Sequence, residues 1–96
     1  MLHLQEQHKD LLRSIIRPYA EYDIRAYGSR VKGTHRKYSD LDLCVMKPIP
    51  SKEYHALVAA LEESDLPIFV SVAEWAGISE SFKLLIMNDL VPFDQW

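Results

Sequence analysis

Two aspartates one residue apart, Asp40 and Asp42 in YSDLDL, follow a glycine-serine pair, Gly28-Ser29 in AYGSRVKG, with ten residues between. Like charges this close disfavour each other's ionisation unless a cation neutralises them, so the pair reads as a holder of positive charge. A divalent metal suits it: Mg²⁺ takes oxygen ligands, keeps several waters, and is commonly held by one or two carboxylates together with a substrate's phosphates. The glycine-serine turn supplies the other half of that arrangement. Gly28 has no side chain to obstruct a phosphate and can take backbone angles closed to other residues, while Ser29 adds a hydroxyl. SRVKG can form a short helical turn whose unpaired N–H groups meet an anion, ended by Gly33. Carboxylates, a metal and a triphosphate together make the chemistry of nucleotidyl transfer, in which the ion polarises the attacked phosphorus and steadies the leaving pyrophosphate.

Such residues need a rigid frame, and the flanking pattern predicts one. Apolar residues alternate in YDIRAYG (Ile24, Ala26) and in LDLCVM (Leu41, Leu43, Val45), the period of two of a strand. Asp40, Asp42 and Cys44 then project from the face opposite the leucines, so both carboxylates share one side of a sheet. Leu4, Leu11, Leu12, Ile15, Ile16 and Tyr19 follow helical spacing and predict a helix over roughly residues 3 to 17, ending near Pro18. Ser51 is expected to cap a second helix with Tyr54, Leu57, Val58 and Leu61 on one stripe. A third strand is expected from about Ile68 to Ala73, and Ser79 should cap a last helix carrying Phe82, Leu85 and Ile86. The order predicts an α/β fold, a small three-stranded mixed sheet packed with about three to four helices.

Ninety-six residues are read as a single domain, 1–96, with a composition of 48% hydrophobic and 26% charged residues ordinary for a soluble globular chain. No apolar run approaches the ~20 residues of a membrane span, and no secretory signal is visible. A single cysteine, Cys44, has no internal disulfide partner, which points to the reducing cytoplasm. It is read as a small apolar filler, and Trp75 as core. His3, His8, His35 and His55 show no zinc-ligand spacing. The balance of 11 Lys+Arg against 14 Asp+Glu, net charge −3, argues against direct nucleic-acid binding. Within it, Arg30, Lys32, Arg36 and Lys37 form a local cationic stretch just before the aspartates, placed to meet a triphosphate or an acidic partner. The apolar segment LLIMNDLVPFDQW reads either as a cover folded over the sheet or as an interface.

Gly28-Ser29, ten residues, then Asp40-x-Asp42 resembles the signature of the DNA polymerase β-like nucleotidyltransferase superfamily. With GSRVKG, YSDLDL, ESDLP and W…ISESF spread along the chain, it is similar to the minimal nucleotidyltransferases of that superfamily, the MntA-like antitoxins that pair with HEPN toxins. The resemblance implies a nucleotidyltransferase fold, Mg²⁺ or Mn²⁺, and ATP as substrate. It also implies Asp40 and Asp42 as catalytic and metal-binding residues, and Gly28, Ser29 and Arg30 as nucleotide-binding residues. A HEPN ribonuclease would then be the partner, neutralised by transfer of AMP to one of its tyrosines, in a complex that could be oligomeric. One departure stands out: the family places a third carboxylate on the third strand, where VSVAEW has Ser71. Glu74, three positions on, should face the other side of a regular strand. The alternative is therefore a catalytically weakened antitoxin that acts by direct binding.

Overall fold

A computed structural model describes residues 1–96. Helix α1 (Glu6–Ile16) carries Glu6 in its first turn and Arg13 in its last, charges that complement the helix dipole at either end. Leu12 and Ile16 are fully buried, and Lys9 lies on the same side with Nζ 3.5 Å from Glu6 Oε1. The helix is shorter than its apolar spacing suggests. Leu4 lies ahead of it, and past Ile16 the chain tightens into a 3-10 segment, Arg17–Tyr22, around Pro18. Asp23 then turns the chain at a left-handed φ of 55°, its carboxylate accepting bonds of 3.1 and 2.8 Å from the Arg25 guanidinium.

The sheet has four strands in the order β3-β2-β1-β4: β1 (Ile24–Tyr27), β2 (Leu41–Val45), β3 (Val70–Glu74) and β4 (Val91–Pro92). β1 is antiparallel to β2 and β4, and β2 is parallel to β3. The expected three-stranded sheet is thus corrected to four. A two-residue strand containing proline has no periodicity of its own, and β4 exists because Val91 and Pro92 pair with Ala26 and Arg25. The Trp96 indole N–H donates to Val91 O at 2.9 Å and pins this segment further.

Four helices accompany the sheet: α1, α2 (Ser29–Lys32), α3 (Ser51–Glu62) and α4 (Glu80–Ile86). Ser79 caps α4 as expected, accepting from Phe82 N at 3.2 Å. Ser51 does not cap α3. It is the first helical residue, behind Pro50, with no side-chain cap. One face of the sheet, with Ile24, Ala26, Leu41, Leu43 and Val45, packs on Leu12, Ile16, Leu57 and Trp96. The other face packs Tyr27 and Cys44 against Ile86, with Phe82, Ile78 and Trp75 around them. The C-terminal apolar segment divides accordingly: Ile86 and Trp96 are buried, whereas Leu84, Leu85 and Met87 are exposed. No helix is long and apolar enough to cross a membrane.

Candidate functional site

The strand register brings three side chains into line. Tyr27 of β1 pairs with Asp42 of β2, and Asp42 with Ser71 of β3, so all three stand on one face, the face opposite Leu41 and Leu43. Asp40 stands one residue ahead of β2, exposed, on the same side as Asp42 by alternation. Gly28, immediately after β1, has φ +84°, and a Cβ built there would run into Asp42 Oδ2. Glycine is required twice over, for backbone angle and for room.

From Gly28 the chain winds into α2, with Val31 N and Lys32 N donating to Gly28 O at 3.0 and 3.1 Å. Gly33 ends the turn at φ +81°, its N–H donating to Ser29 O at 2.9 Å. This is the short helical turn that SRVKG predicts. The first N–H groups of such a turn have no partner within it, and Ser29 sits among them one residue from the Gly28–Asp42 contact.

Burial and then the charge of Asp40 push the Asp42 carboxyl above the usual carboxylate range. Tyr27 is pushed up to about 12 by burial, Asp42 and Cys44. Burial pushes the Cys44 thiol up to about 11, against the pull of Arg25 and Lys83. None of the ion pairs of the chain involves Asp40 or Asp42. A half-buried carboxylate with a like charge beside it, no cation of its own, and a side-chain-free approach at Gly28 fits a hard divalent cation with its waters. Asp40 and Asp42 are the residues that could hold it. No cluster of three or more His, Cys, Asp or Glu side chains forms around them.

The β2–β3 register puts Ser71 directly beside Asp42, the place from which a third carboxylate would reach the same point. Glu74 pairs with Val45 and is exposed, on the opposite side from Asp42.

Arg30 is buried, and its guanidinium is committed elsewhere. It donates to the carbonyls of Ser39 (3.0 Å), His3 (3.2 Å), Lys37 (3.2 Å) and Arg36 (3.4 Å). What Arg30 can offer a nucleotide is its backbone N–H in the turn, while its charge braces the loop that leads to Asp40. Lys32 pairs with Asp89 at 3.4 Å, and Arg36 is exposed. Two residues of this face escaped the sequence reading. Tyr27 stands beside Asp42 only because of the register, which alternation within β1 does not reveal. Lys83 of α4 lies over the Trp75 ring, 5.2 Å from its centroid, on the side that faces Cys44. Its helical position was readable, but the packing of α4 on this face was not.

Residues 6–91 match the family described as the nucleotidyltransferase domain. Over 97 aligned positions, covering 98% of this chain and 85% of the relative, the sequence is 36% identical to the probable protein adenylyltransferase MntA of Haemophilus influenzae. The turn against Asp42, the mixed sheet and a match spanning nearly the whole sequence agree, and the chain belongs to the nucleotidyltransferase domain family as an MntA-like minimal nucleotidyltransferase.

Proposed function

We propose that the chain is a single minimal nucleotidyltransferase domain, an antitoxin that acts in the cytoplasm by binding ATP with Mg²⁺ or Mn²⁺ and transferring AMP to a tyrosine of a HEPN ribonuclease partner. The observation that carries this reading is the Gly28–Ser29 turn packed directly on the Asp42 carboxylate, in a chain similar to a probable protein adenylyltransferase. Asp40 and Asp42 hold the cation, and Gly28, Ser29 and the Arg30 N–H receive the β- and γ-phosphates. When bound, the cation neutralises the triphosphate and the departing pyrophosphate. The acceptor oxygen forms its bond to the α-phosphorus as the bond to the β-phosphate oxygen breaks, and the hydroxyl proton leaves to a base.

Ser71 supports a second reading. With a hydroxyl in place of a carboxylate beside Asp42, no third acid helps take that proton, and neutralisation would rest on covering the partner rather than modifying it. Intact-mass spectrometry of the cognate HEPN protein, incubated with ATP, Mg²⁺ and either this protein, Asp42→Asn or Ser71→Asp, separates the two. Addition of AMP by the natural protein and its loss in Asp42→Asn is the expected result. Addition only with Ser71→Asp would overturn the enzymatic reading in favour of direct binding.

A further inference from the structure

Away from the aspartate pair, the largest cavity of the molecule, about 560 Å³, lies between the N-terminal segment and the loop joining α2 to β2. A second cavity of about 250 Å³ adjoins it, sharing Leu4, Gln5, Arg30 and Lys37 as walls. Together they make one groove. The first cavity is lined by His3, Lys9, Arg30, His35, Arg36 and Lys37, and no aspartate or glutamate lines either one. In a chain with a net charge of −3 that is a marked segregation of charge.

Some of those cations are satisfied within the chain. Lys9 pairs with Glu6, and Arg30 is bound to four carbonyls. Two of these carbonyls belong to Arg36 and Lys37 themselves, so their backbone is clamped while their side chains stay exposed and outside every ion pair of the chain. His35 Nδ1, also on this wall, is buried without a hydrogen-bond partner. The groove is therefore built and held: Lys37 Nζ lies over the Tyr38 ring, 5.3 Å from its centroid, and no carboxylate pairs with Arg36 or Lys37.

The groove lies at one end of the sheet, on the face that carries Leu41 and Leu43. β1 ends, and β2 and β3 begin, at one end of the sheet. Gly28 and Asp40 stand at this end, and so do the α2–β2 loop, the N-terminal segment tied by His3 N to Arg30 O at 2.6 Å, and Ile68 just ahead of β3. The smaller cavity is walled by Leu4, Pro67, Ile68 and the exposed Tyr38. A polynucleotide would bring repeated phosphates to a chain that is acidic overall, with apolar walls it does not need. An acidic polypeptide brings carboxylates for Arg36 and Lys37 and apolar side chains for Leu4 and Ile68.

We propose that this groove, which opens on the side of the sheet carrying Leu41 and Leu43 at the end where Gly28 and Asp40 stand, binds an acidic segment of the acceptor protein. The inference rests on the reading of this chain as a protein-modifying transferase. Its test is separate: fluorescence anisotropy of a dye-labelled, glutamate-rich peptide containing leucine and tyrosine. The wild-type protein is expected to bind this probe, more weakly as salt is raised. Arg36→Glu combined with Lys37→Glu should weaken binding on the order of tenfold or more. Arg36→Gln with Lys37→Gln should fall between, and thermal melts and circular dichroism of each variant check that it is folded. Asp42→Asn should keep the peptide affinity while losing Mg²⁺-dependent ATP binding. If that variant kept ATP, the nucleotide reading would fail with the groove intact. Equal peptide binding by the charge-reversed variant, no binding by wild type, or tighter binding of a single-stranded oligonucleotide of equal charge would each overturn the proposal.

Discussion

At Asp42 the demands of stability and of the proposed cation binding oppose each other. Its folded-state pKa is raised by burial and by Asp40, so the native state holds the proton more readily than the unfolded chain does. The unfavourable contribution is present above that pKa and disappears as pH falls through it. Asp42→Asn is therefore expected to raise the melting temperature at neutral pH by about 2–4 °C, the scale of a few tenths of a kcal/mol in a domain this size, while abolishing Mg²⁺-dependent ATP binding. Differential scanning calorimetry and calorimetric titration check the two halves, and a lowered melting temperature would refute the first. Tyr27 and Cys44 predict behaviour at the alkaline end. Their folded values of about 12 and about 11 lie above the ordinary 10.0 and 9.0, so the native state keeps both protons longer. Stability should be full below about pH 9 and decline as pH rises towards about 12. Urea midpoints across that range test this, and Tyr27→Phe should flatten the upper part of the decline. Gly28, Asp40 and Asp42 were legible in the sequence because glycine and strand alternation fix backbone angle and face locally. Tyr27 was not, because its partner across the sheet depends on how the chain between Gly28 and Leu41 closes.

Among the elements, the loop between α2 and β2 owes its shape to one side chain. The four carbonyls that Arg30 reaches come from the N-terminal segment and from the middle and far end of the loop, and the last of them, on Ser39, immediately precedes Asp40. Arg30→Met is expected to destabilise the fold by about 1.5–3 kcal/mol, measured by urea denaturation, because a buried charged donor gives up several bonds. It should also weaken nucleotide binding through misplacement of Asp40. Arg30→Lys should rescue little, since an ammonium does not reproduce the planar fork. An unchanged denaturation midpoint in both variants would contradict this bracing role. The sequence shows the cationic stretch but not which cation turns inward, because burial of Arg30 comes from the N-terminal segment docking on α2. β1, β2, α3 and the Ser79 cap were readable from periodicity and cap chemistry. β4 was not, being two residues long and held by tertiary pairing alone. α1 starts later than its spacing suggested because the residues before Glu6 run along α2, where His3 N bonds Arg30 O.

Taken as a whole, the molecule closes on itself at its C-terminal residues. Trp96 is 7% exposed, stacks edge-on to Phe93 at 5.3 Å, donates to Val91 O, and offers its carbonyl oxygen to Arg13 Nη2 at 2.6 Å. It thus joins β4 to α1. Trp96→Ala should cost about 3–5 kcal/mol, a large share of a total stability of about 5–14 kcal/mol for a chain this long. Denaturant unfolding measures it, and a loss below about 1 kcal/mol would contradict the assigned core position. The two-sided burial of the sheet follows from α4 covering Tyr27 and Cys44, which is why a strand that alternates in sequence is buried on both faces. One hydrogen bond has a wider reach. The Tyr54 hydroxyl donates to Val72 O at 2.7 Å, and Val72 lies on β3, the outermost strand on that side. At the other margin β4 is two residues long and one of them, Pro92, has no N–H to give. The β4 border is thus too short, and too poor in donors, to template a further strand, while at the β3 border the Tyr54 hydroxyl already occupies one outward carbonyl, a partial obstacle to the edge-to-edge growth that turns small sheets into fibres.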